Sequence, residues 1–467
     1  MDRIKILLII TFIIACKRYP VYELDNGIKI MVIPQKGRSM SCVCATVGIG
    51  HYYEPDSVIG ISHFTEHMLF KGTKNLKVGE FAQKVKEIGG TTNGWTMNHC
   101  TQYFIMCPKE NIYKAYELIA EAIKLASIPE ETFEEEKSVV KHEALRVKDH
   151  PFSFLSSKLN EILFKGHPEG LSIDKEIEIL STFNRDKIRN WYESYYRPDN
   201  VVITIAGEVS PDSIYNLSKK LWKNFKGKSK EKKLRELPPP LDSVCYINIK
   251  GRIKNAYLMI KFRGVSMFHP FAQPLDIVAD VLGGLPYCRL KHLVDENIVN
   301  KVYSYNYTPI DGGSFVIAVE CPVKNIRKAL KEIIKEIKKL KREGITEEEL
   351  LIAKKYEKVQ YGKIKESLWF LTGRYGEGGI LGDFYFYDNY AKKVQNVTLY
   401  SIKKAVNEIL NLNKVCIGIY QPEGTPSLKK QDIEEILKIG EPIANIYKLK
   451  NGITLITRKI PWTNFVA

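Results

Sequence analysis

The hydrophobic and polar positions of the chain predict a series of strands and helices in its first half. Residues 21–47 alternate between apolar and polar side chains around Asp25-Asn26-Gly27, which predicts strands joined by a turn. Residues 200–209, NVVITIAGEV, form a short apolar run typical of a buried strand. The other predicted elements are strands through Asn93 and residues 103–107, and helices over 60–73, 78–89, 109–127, 130–148 and 211–225.

A second series of elements repeats the order of the first. The segment KGKSKEKKLRELPPPLDS is charged and rich in proline, which predicts an exposed linker between the two series. Residues 415–422, VCIGIYQP, resemble the strand at 200–209 in sequence and in place. The second series has strands near 244–250, 255–263, 302–307 and 313–321, and helices near 270–282, 323–342 and 346–366. We therefore expect two similar units, over residues 19–226 and 244–440, with the linker at 227–243.

The opening pattern of the first unit recurs near the end of the sequence. Tyr22, Leu24, Asn26, Gly27 and Ile28 reappear in the same order as Tyr447, Leu449, Asn451, Gly452 and Ile453. Because the earlier stretch opens the first unit, we expect residues 446–467 to be the first strand of a truncated third repeat. The alternative is a frayed tail, since terminal segments are often poorly ordered.

Composition places the chain among globular proteins of more than one domain. Its 467 residues exceed what one hydrophobic core normally covers, and its hydrophobic content of 44% and charged content of 27% are ordinary. The formal net charge of +16 is not ordinary, and such a balance can indicate nucleic acid or an anionic membrane surface as the partner. The lysines, however, mix with glutamates in helical runs such as residues 331–350. We interpret them as solvated helix faces and expect no nucleic-acid partner.

The first 16 residues have the features of a bacterial export signal. Two basic residues precede the apolar run Ile6–Ile14, which is too short to span a bilayer as a helix. The following Ala15-Cys16 resembles the cleavage box of bacterial lipoproteins, which would put a diacylglyceryl anchor on Cys16. We expect residues 1–16 to be a lipoprotein-type signal peptide. The protein would then be a periplasmic or membrane-anchored lipoprotein of a bacterium, held at the membrane by this anchor only. The alternative is an apolar N-terminal strand with an incidental cysteine.

The cysteines favour buried thiols over a metal site. Of the nine cysteines, eight remain if Cys16 is lipidated. Cys42 and Cys44 alternate to the same face of a predicted strand, and no Cys-x-x-Cys spacing occurs. We expect free thiols, although an oxidising compartment leaves disulfides open.

The stretch GISHFTEHMLFKGT, residues 60–73, places three polar side chains in a segment that otherwise predicts a buried helix. His63, Glu66 and His67 are spaced i, i+3 and i+4, so they project from one face of that helix. Two imidazoles one turn apart can bind one divalent metal, and zinc prefers such nitrogen ligands. Glu66 could then accept a proton from a metal-bound water. The alternative is a helix with two hydrogen-bonded histidines and a partly exposed glutamate.

A charged helix at residues 131–151 offers a third ligand. Glu136 and Glu143 are two helical turns apart on it, so their carboxylates face the same way. One of them could ligate the metal while the other fixes a histidine or the water by a hydrogen bond. Taken alone, the pattern is also that of a solvated helix face.

Together these motifs resemble the inverted zinc-binding pattern of the pitrilysin, insulinase and mitochondrial-processing-peptidase family. In that family a ligand glutamate follows H-x-x-E-H at a long spacing and is itself preceded by a second glutamate. Here Glu143 stands 76 positions after His67 (143 − 67 = 76), and Glu136 lies seven positions before Glu143. The family segments N-A-x-T and T-x-Y are matched by Asn93-Gly94-Trp95-Thr96, with glycine for alanine, and by Thr101-Gln102-Tyr103. The second unit has no H-x-x-E-H, so we expect the metal site only in the first.

The resemblance implies an architecture and a set of roles. Each unit is expected to be an α+β sandwich, a mostly antiparallel sheet with helices packed on one face, and the two units would enclose a chamber for peptides and unfolded segments. One Zn2+ per chain would be bound by His63, His67 and Glu143, with Glu66 as the general base and Glu136 supporting the site. The implied function is that of a zinc metalloendopeptidase. The alternative is a catalytically silent scaffold subunit of the same family.

The resemblance also bears on substrate and partners. The strand around Asn93 would pair with an extended peptide, as an exposed sheet edge can. Family members carry an arginine seven positions before a tyrosine, a pair that holds the substrate near the zinc. Here Tyr303 is present, but Glu296 takes the place of the arginine. We therefore expect a second family half or subunit, in a hetero- or homodimer, to supply an Arg–Tyr pair.

Overall fold

The computed structural model of the chain describes residues 18–438, 445–449 and 451–457. Its strands are Val21–Glu23 (β1), Lys29–Pro34 (β2), Met40–Val47 (β3), Thr91–Thr96 (β4), Thr101–Pro108 (β5), Val201–Gly207 (β6), Cys245–Gly251 (β7), Ala256–Arg263 (β8), Lys301–Tyr307 (β9), Ser314–Cys321 (β10), Val415–Pro422 (β11), Asn445–Lys448 (β12) and Thr454–Thr457 (β13). Its α-helices are Ile61–Leu69 (α1), Glu80–Glu87 (α2), Ile112–Leu125 (α3), Phe133–Asp149 (α4), Pro151–Leu163 (α5), Ile173–Ser181 (α6), Arg185–Tyr195 (α7), Pro211–Leu221 (α8), Ala272–Ala279 (α9), Lys291–Asp295 (α10), Ile326–Glu343 (α11), Glu347–Glu366 (α12), Leu368–Ile380 (α13), Phe386–Gln395 (α14), Leu399–Ile409 (α15) and Lys430–Leu437 (α16). A π-helical turn, Asp280–Gly284, continues α9.

The strands form two large sheets that share one topology. The order is β1-β2-β6-β3-β5-β4 in the first sheet and β7-β11-β8-β10-β9 in the second. Neighbouring strands run antiparallel except for one parallel pair in each sheet, β2 with β6 and β7 with β11. From β2 onward, each strand of the first sheet therefore has a counterpart in the second. The predicted fold, two homologous α+β units with mostly antiparallel sheets, is confirmed.

Each unit covers one face of its sheet with its own helices. The lysine-rich helix α11 shows why: Leu330, Ile333 and Ile337 are at most 1% exposed, whereas the lysines of its other face, among them Lys331 and Lys335, are exposed. Spacings of three and four residues place the apolar side chains on one stripe. In this helix the excess positive charge lies on a solvated face.

The opposite face of each sheet is covered by a helix of the other unit. Helix α5 belongs to the first unit, but its Leu159 packs in one cluster with Met259 of the second sheet. Helix α13 belongs to the second unit, but its Leu371 packs with Ile33 of the first sheet. Because both faces are covered, the central strand β6 is buried at every position. This explains why its sequence is an almost continuous apolar run.

The segment between the two units has neither helix nor strand. Residues 226–243 run without regular structure, yet they contact the first unit. Lys232 Nζ donates to the carbonyl of Gly48 at 2.8 Å, and Arg235 donates to the carbonyl of Glu54 at 2.8 Å. The predicted linker is therefore tied to the loop that precedes α1.

The last described strands form a hairpin that reproduces the first turn of the chain. β12 and β13 pair antiparallel, so two strands lie where the sequence predicts one. In the first turn, Ile28 N–H donates to Asn26 Oδ1 at 3.3 Å; in the hairpin, Ile453 N–H donates to Asn451 Oδ1 at 3.2 Å. The remainder of the predicted strand, residues 458–467, and the predicted signal peptide with Cys16 lie outside the described residues. Within those residues, each helix is too short or too polar to cross a bilayer.

Candidate metal centre

A buried carboxylate fixes the first turn of α1, the helix that carries both histidines. Gly60 precedes the helix with φ of +90°, a conformation that favours glycine. Glu54, 1% exposed, accepts hydrogen bonds of 2.7 Å from the backbone N–H groups of Gly60 and of Ser62. These bonds satisfy donors that a helix N-terminus leaves unpaired, and a negative charge there is favoured by the helix dipole.

The apolar residues of α1 orient its polar face. Phe64 and Met68 are fully buried in the core of the first unit. Positions three and four residues apart share a face, so the two histidines and Glu66 project together on the other side. That side contacts α4 and β4.

His63, His67 and Glu143 bring three ligand atoms to one point. The Nε2 atoms of His63 and His67 lie 3.5 and 3.4 Å from the same oxygen, Oε2, of Glu143. One ligand atom from each residue lies within 4.8 Å of the others. Zinc bonds of about 2.0–2.1 Å in a tetrahedral arrangement would put ligand atoms roughly 3.3 Å apart. The three side chains therefore have the chemistry and the spacing that suit one zinc ion.

Glu136 contacts the Nδ1 side of the His67 ring, opposite the Nε2 atom that faces Glu143. Its Oε2 lies 3.2 Å from Nδ1 of His67, and its other carboxylate oxygen pairs with Lys71. The glutamate is 5% exposed, so these partners compensate a buried charge. A proton on Nδ1 that is donated to Glu136 leaves the lone pair of His67 on Nε2, which faces Glu143.

Glu66 projects from α1 toward the edge strand β4. Thr96 Oγ1 donates a hydrogen bond of 2.7 Å to Glu66 Oε2. A Cβ atom added to Gly94 would lie 2.5 Å from Glu66 Oε1, so glycine at this position makes room for the carboxylate. Glu66 is not part of the ligand trio, and its position suits a base beside the site.

Burial sets the protonation of the two groups that matter most for chemistry. Burial, and after it the charge of His67, lowers the pKa of His63 to about 3, so the ring is neutral and can offer a lone pair. Burial raises the pKa of Glu66 above its ordinary value, which makes this carboxylate a stronger base.

Asn93 lies on β4, the outermost strand of the first sheet. Its side chain is exposed, whereas Gly94 and Thr96 contact Glu66. Among the strands that the structure describes, β4 pairs only with β5. Its other edge can therefore accept an extended peptide by backbone hydrogen bonds.

Tyr303 lies on β9, the corresponding edge strand of the second sheet. It is 45% exposed, and its ring packs edge-on against Phe152 with centroids 5.6 Å apart. It lines a cavity of about 460 Å³ beside α5, not the cavity of about 940 Å³ that reaches Thr96. Tyr305, which the sequence analysis did not single out, lines both cavities.

The residues that position α1 and Glu66 were not among those predicted from the sequence. Thr96 stands in the segment matched to N-A-x-T, so a signal for it was present. Glu54 contacts the start of α1, and Lys71 pairs with Glu136 of α4. No local sequence pattern predicts either contact.

Two family profiles match the chain, one within the first unit and one that runs from the last part of the first unit into the second. The profile described as "Insulinase (Peptidase family M16)" matches residues 30–176, which contain the metal centre. The profile described as "Peptidase M16 inactive domain" matches residues 182–356. The second match agrees with the absence of H-x-x-E-H from the second unit.

Relatives and a solved structure resemble the chain over most of its length. The zinc protease YmxG of Bacillus subtilis is 29% identical over 331 residues, which cover 70% of this chain and 80% of the relative. The zinc protease PqqE of Helicobacter pylori is 25% identical over 393 residues, covering 82% and 88%. The crystal structure of a protease from Helicobacter pylori superposes with a TM-score of 0.78 at 24% identity, covering 87% of this chain and all of that one. The structural likeness bears on the fold.

Proposed function

Because the chain belongs to peptidase family M16, we propose that it is a zinc metallopeptidase that hydrolyses peptides or unfolded protein segments. The observation that carries this proposal is the convergence of His63, His67 and Glu143 on one point, with Glu66 held beside it. The relatives named as zinc proteases support the same function.

The residues of the site divide the work of hydrolysis among them. Zinc, if bound by His63, His67 and Glu143, would supply Lewis acidity and increase the acidity of water at the site. Glu66 would act as the general base, accepting a proton from the attacking water and passing it to the leaving amine. Thr96 holds the Glu66 carboxylate in place, and Glu136 orients His67. The free edge of β4 receives the peptide as an added strand beside Glu66.

Substitution of the base separates hydrolysis from metal binding. Glu66→Gln keeps the side-chain size but cannot accept a proton, so cleavage of a quenched fluorescent peptide should fall by about 10² or more. Zinc should stay bound at one ion per chain, because Glu66 is not a ligand. Glu143→Ala should lose both zinc and cleavage. Glu135→Gln, an exposed neighbour on α4, should change neither and serves as the control.

Two outcomes would contradict this assignment. Loss of zinc from the Glu66→Gln protein would show that Glu66 is a ligand. A wild-type chain that binds zinc but cleaves nothing in a peptide library, either alone or with a homologous half added, would favour a catalytically silent scaffold subunit.

We also propose that the working assembly contains a second family half or subunit that supplies an Arg–Tyr pair. Glu296 in place of the arginine before Tyr303 supports this, as does the hairpin β12–β13, which repeats the opening of the first unit. The test compares cleavage by this chain alone with cleavage after a homologous half is added. Full activity of a monomeric chain without an addition would contradict the proposal.

A further proposal, which rests on sequence alone, is export as a lipoprotein modified at Cys16. Cys16→Ser should abolish lipid labelling and release the protein from the membrane fraction. Protein from the native host that retains Met1 would contradict it.

A further inference from the structure

Helix α9 occupies in the second unit the place that the metal-bearing helix α1 occupies in the first. Helix α1 follows β3, the strand between β6 and β5; α9 follows β8, the strand between β11 and β10. Helix α12 corresponds to α4 in the same way. Helix α4 is the second α-helix after β5, and α12 is the second α-helix after β10. The second unit therefore has a position equivalent to the metal centre.

At that position carboxylates replace the histidines. Asp276 and Asp280 are four residues apart, as are His63 and His67. Ala279 stands one residue before Asp280, where the first unit has its base. The equivalent position thus offers only oxygen atoms to a ligand and has no base for hydrolysis.

A third carboxylate completes the correspondence. Glu357 on α12 follows Asp280 by 77 positions (357 − 280 = 77), close to the 76 positions that separate His67 from Glu143. The carboxyl groups of Asp280 and Glu357 lie close enough to share a proton. Asp280, in the π-helical turn that continues α9, faces Glu357 on α12. In the same way, His67 on α1 faces Glu143 on α4.

In the part of the chain that the structure describes, no cationic side chain pairs with these three carboxyl groups. Asp276 accepts hydrogen bonds from Asn306 Nδ2 at 2.8 Å and from the Tyr390 hydroxyl at 2.5 Å, both neutral groups. Asp280 is 8% exposed, yet its Oδ2 has no hydrogen-bond partner among the described residues. A buried carboxylate oxygen without a partner is costly, so its retention calls for an explanation.

All three line the cavity of about 940 Å³ that reaches Thr96 beside the candidate base. Other carboxylates in its wall have cationic partners. Glu377 pairs with Arg374 at 3.0 Å, and Asp388 pairs with Lys365 at 2.7 Å. The charges that act on the trio are those of its own members. Among the described residues, a group of carboxyl side chains without a cationic partner therefore lines the cavity that reaches Thr96.

The spacing of the trio favours a large cation over a metal ion. In the described part of the chain, one ligand atom per residue comes within 4.8 Å for His63, His67 and Glu143, but not for these three carboxylates. Ammonium and guanidinium groups carry their donors farther from the centre of charge than a metal ion does, and they bind carboxylates by charge-assisted hydrogen bonds.

We propose that Asp276, Asp280 and Glu357 form a subsite that binds an organic cation of the peptide in the chamber. The cation is either a lysine or arginine side chain or the N-terminal ammonium group. This inference rests on the proposed peptidase function, since it assigns part of the substrate to the second unit. The first unit then supplies the chemistry, and its altered counterpart supplies an anchor.

The test measures binding rather than cleavage. The zinc-loaded Glu66→Gln protein is titrated with four fluorescent peptides of one sequence, which carry either arginine or neutral citrulline and either a free or an acetylated N-terminus. If the side chain is the ligand, arginine should increase affinity about tenfold or more over citrulline. If the N-terminus is the ligand, the free amine should have that effect over the acetylated form.

Variants locate the effect in the subsite. Asp280→Asn with Glu357→Gln, in the Glu66→Gln background, should remove the preference for the charged peptide and leave the affinity for the neutral peptide unchanged. Glu357→Gln alone, which can still accept a hydrogen bond from Asp280, serves if the double variant does not fold. Glu348→Gln, exposed on the same helix, should keep the preference and is the matched control.

Each other result decides against the proposal. Equal affinity for all four peptides, or a preference that survives the subsite variants, overturns the subsite but leaves the peptidase function intact. A Glu66→Gln protein that binds none of the peptides, together with a wild-type chain that cleaves none even after a homologous half is added, overturns both.

Discussion

The hydroxyl of Thr96 donates a 2.7 Å hydrogen bond to the carboxylate of Glu66. This bond joins the edge strand β4, which would receive a peptide, to the helix that carries two metal ligands. The proposed general base is therefore held by the same strand that would position the substrate. A contact of this kind keeps a base in a fixed position relative to the peptide bond that is to be cleaved.

Thr96→Val should test that coupling. Valine has the shape of threonine without its hydroxyl, so Glu66 would lose the hydroxyl donor, keep the backbone donor of residue 96, and the strand would stay intact. We expect kcat to fall about tenfold, the effect of one hydrogen bond to a charged group, with zinc content and KM unchanged. Thr91→Val, an exposed position on the same strand, is the control. An unaltered kcat would show that Thr96 does not position the base.

Glu136→Gln should weaken zinc binding without removing a ligand. The buried carboxylate orients His67 and pairs with Lys71, and loss of such an outer partner typically costs about 10–100-fold in metal affinity. Competition with a chelator of known affinity measures this change. Glu135→Gln, exposed one residue earlier, should bind zinc as the wild type does. Equal affinities in all three proteins would mean that His67 needs no support from α4.

The acidic trio should make stability depend on pH. Burial, and after it the charge of Glu357, raises the pKa of Asp280 from 3.8 to about 8, and burial also raises that of Glu357. The folded chain then holds protons that the unfolded chain has released, so this contribution is complete below about pH 4 and is lost as the pH rises through about 8. Asp276 and Tyr390 are titratable groups that interact electrostatically with this pair.

Glu357→Gln removes one of these titrating groups, so the melting temperature should fall less between pH 5 and pH 8 than in the wild type. At pH 8 the variant should be the more stable protein, and near pH 5 the two should converge. Glu348→Gln should follow the wild-type curve, because its side chain is exposed. A variant with the wild-type slope would show that the pair does not share its protons.

Leu159→Ala should destabilise the two units together. Leu159 is fully buried on α5, which belongs to the first unit but covers the second sheet. Loss of this side chain should cost about 2–5 kcal/mol of unfolding free energy, measured by denaturant titration. Leu351→Ala, 53% exposed, should cost less than about 0.5 kcal/mol. If α5 links the units, unfolding stays a single transition at lower denaturant; two separated transitions would contradict the link.

Local periodicity was enough to predict the features that depend on a single segment. The spacing of His63 and His67 places both on one face of a helix in any fold that contains that helix. Alternation and apolar runs likewise predicted strands at 200–209 and 415–422, and the structure has strands at Val201–Gly207 and Val415–Pro422. Two units in the same order follow from these patterns alone.

The tertiary structure decided which distant segments meet. Helical spacing alone left open whether Glu136 or Glu143 would be the ligand, and the family resemblance implied Glu143. The packing of α4 against α1 is what turns Glu143 toward both Nε2 atoms. Neither α5 nor α13 was predicted as a helix. They cover the sheet of the opposite unit, so the residues that bury their apolar faces are far away in sequence. The acidic trio likewise exists only because α9 and α12 pack as α1 and α4 do. Periodicity is a property of neighbouring residues, whereas a ligand set, an exchanged helix and a shared cavity are made by contacts between segments that packing alone brings together.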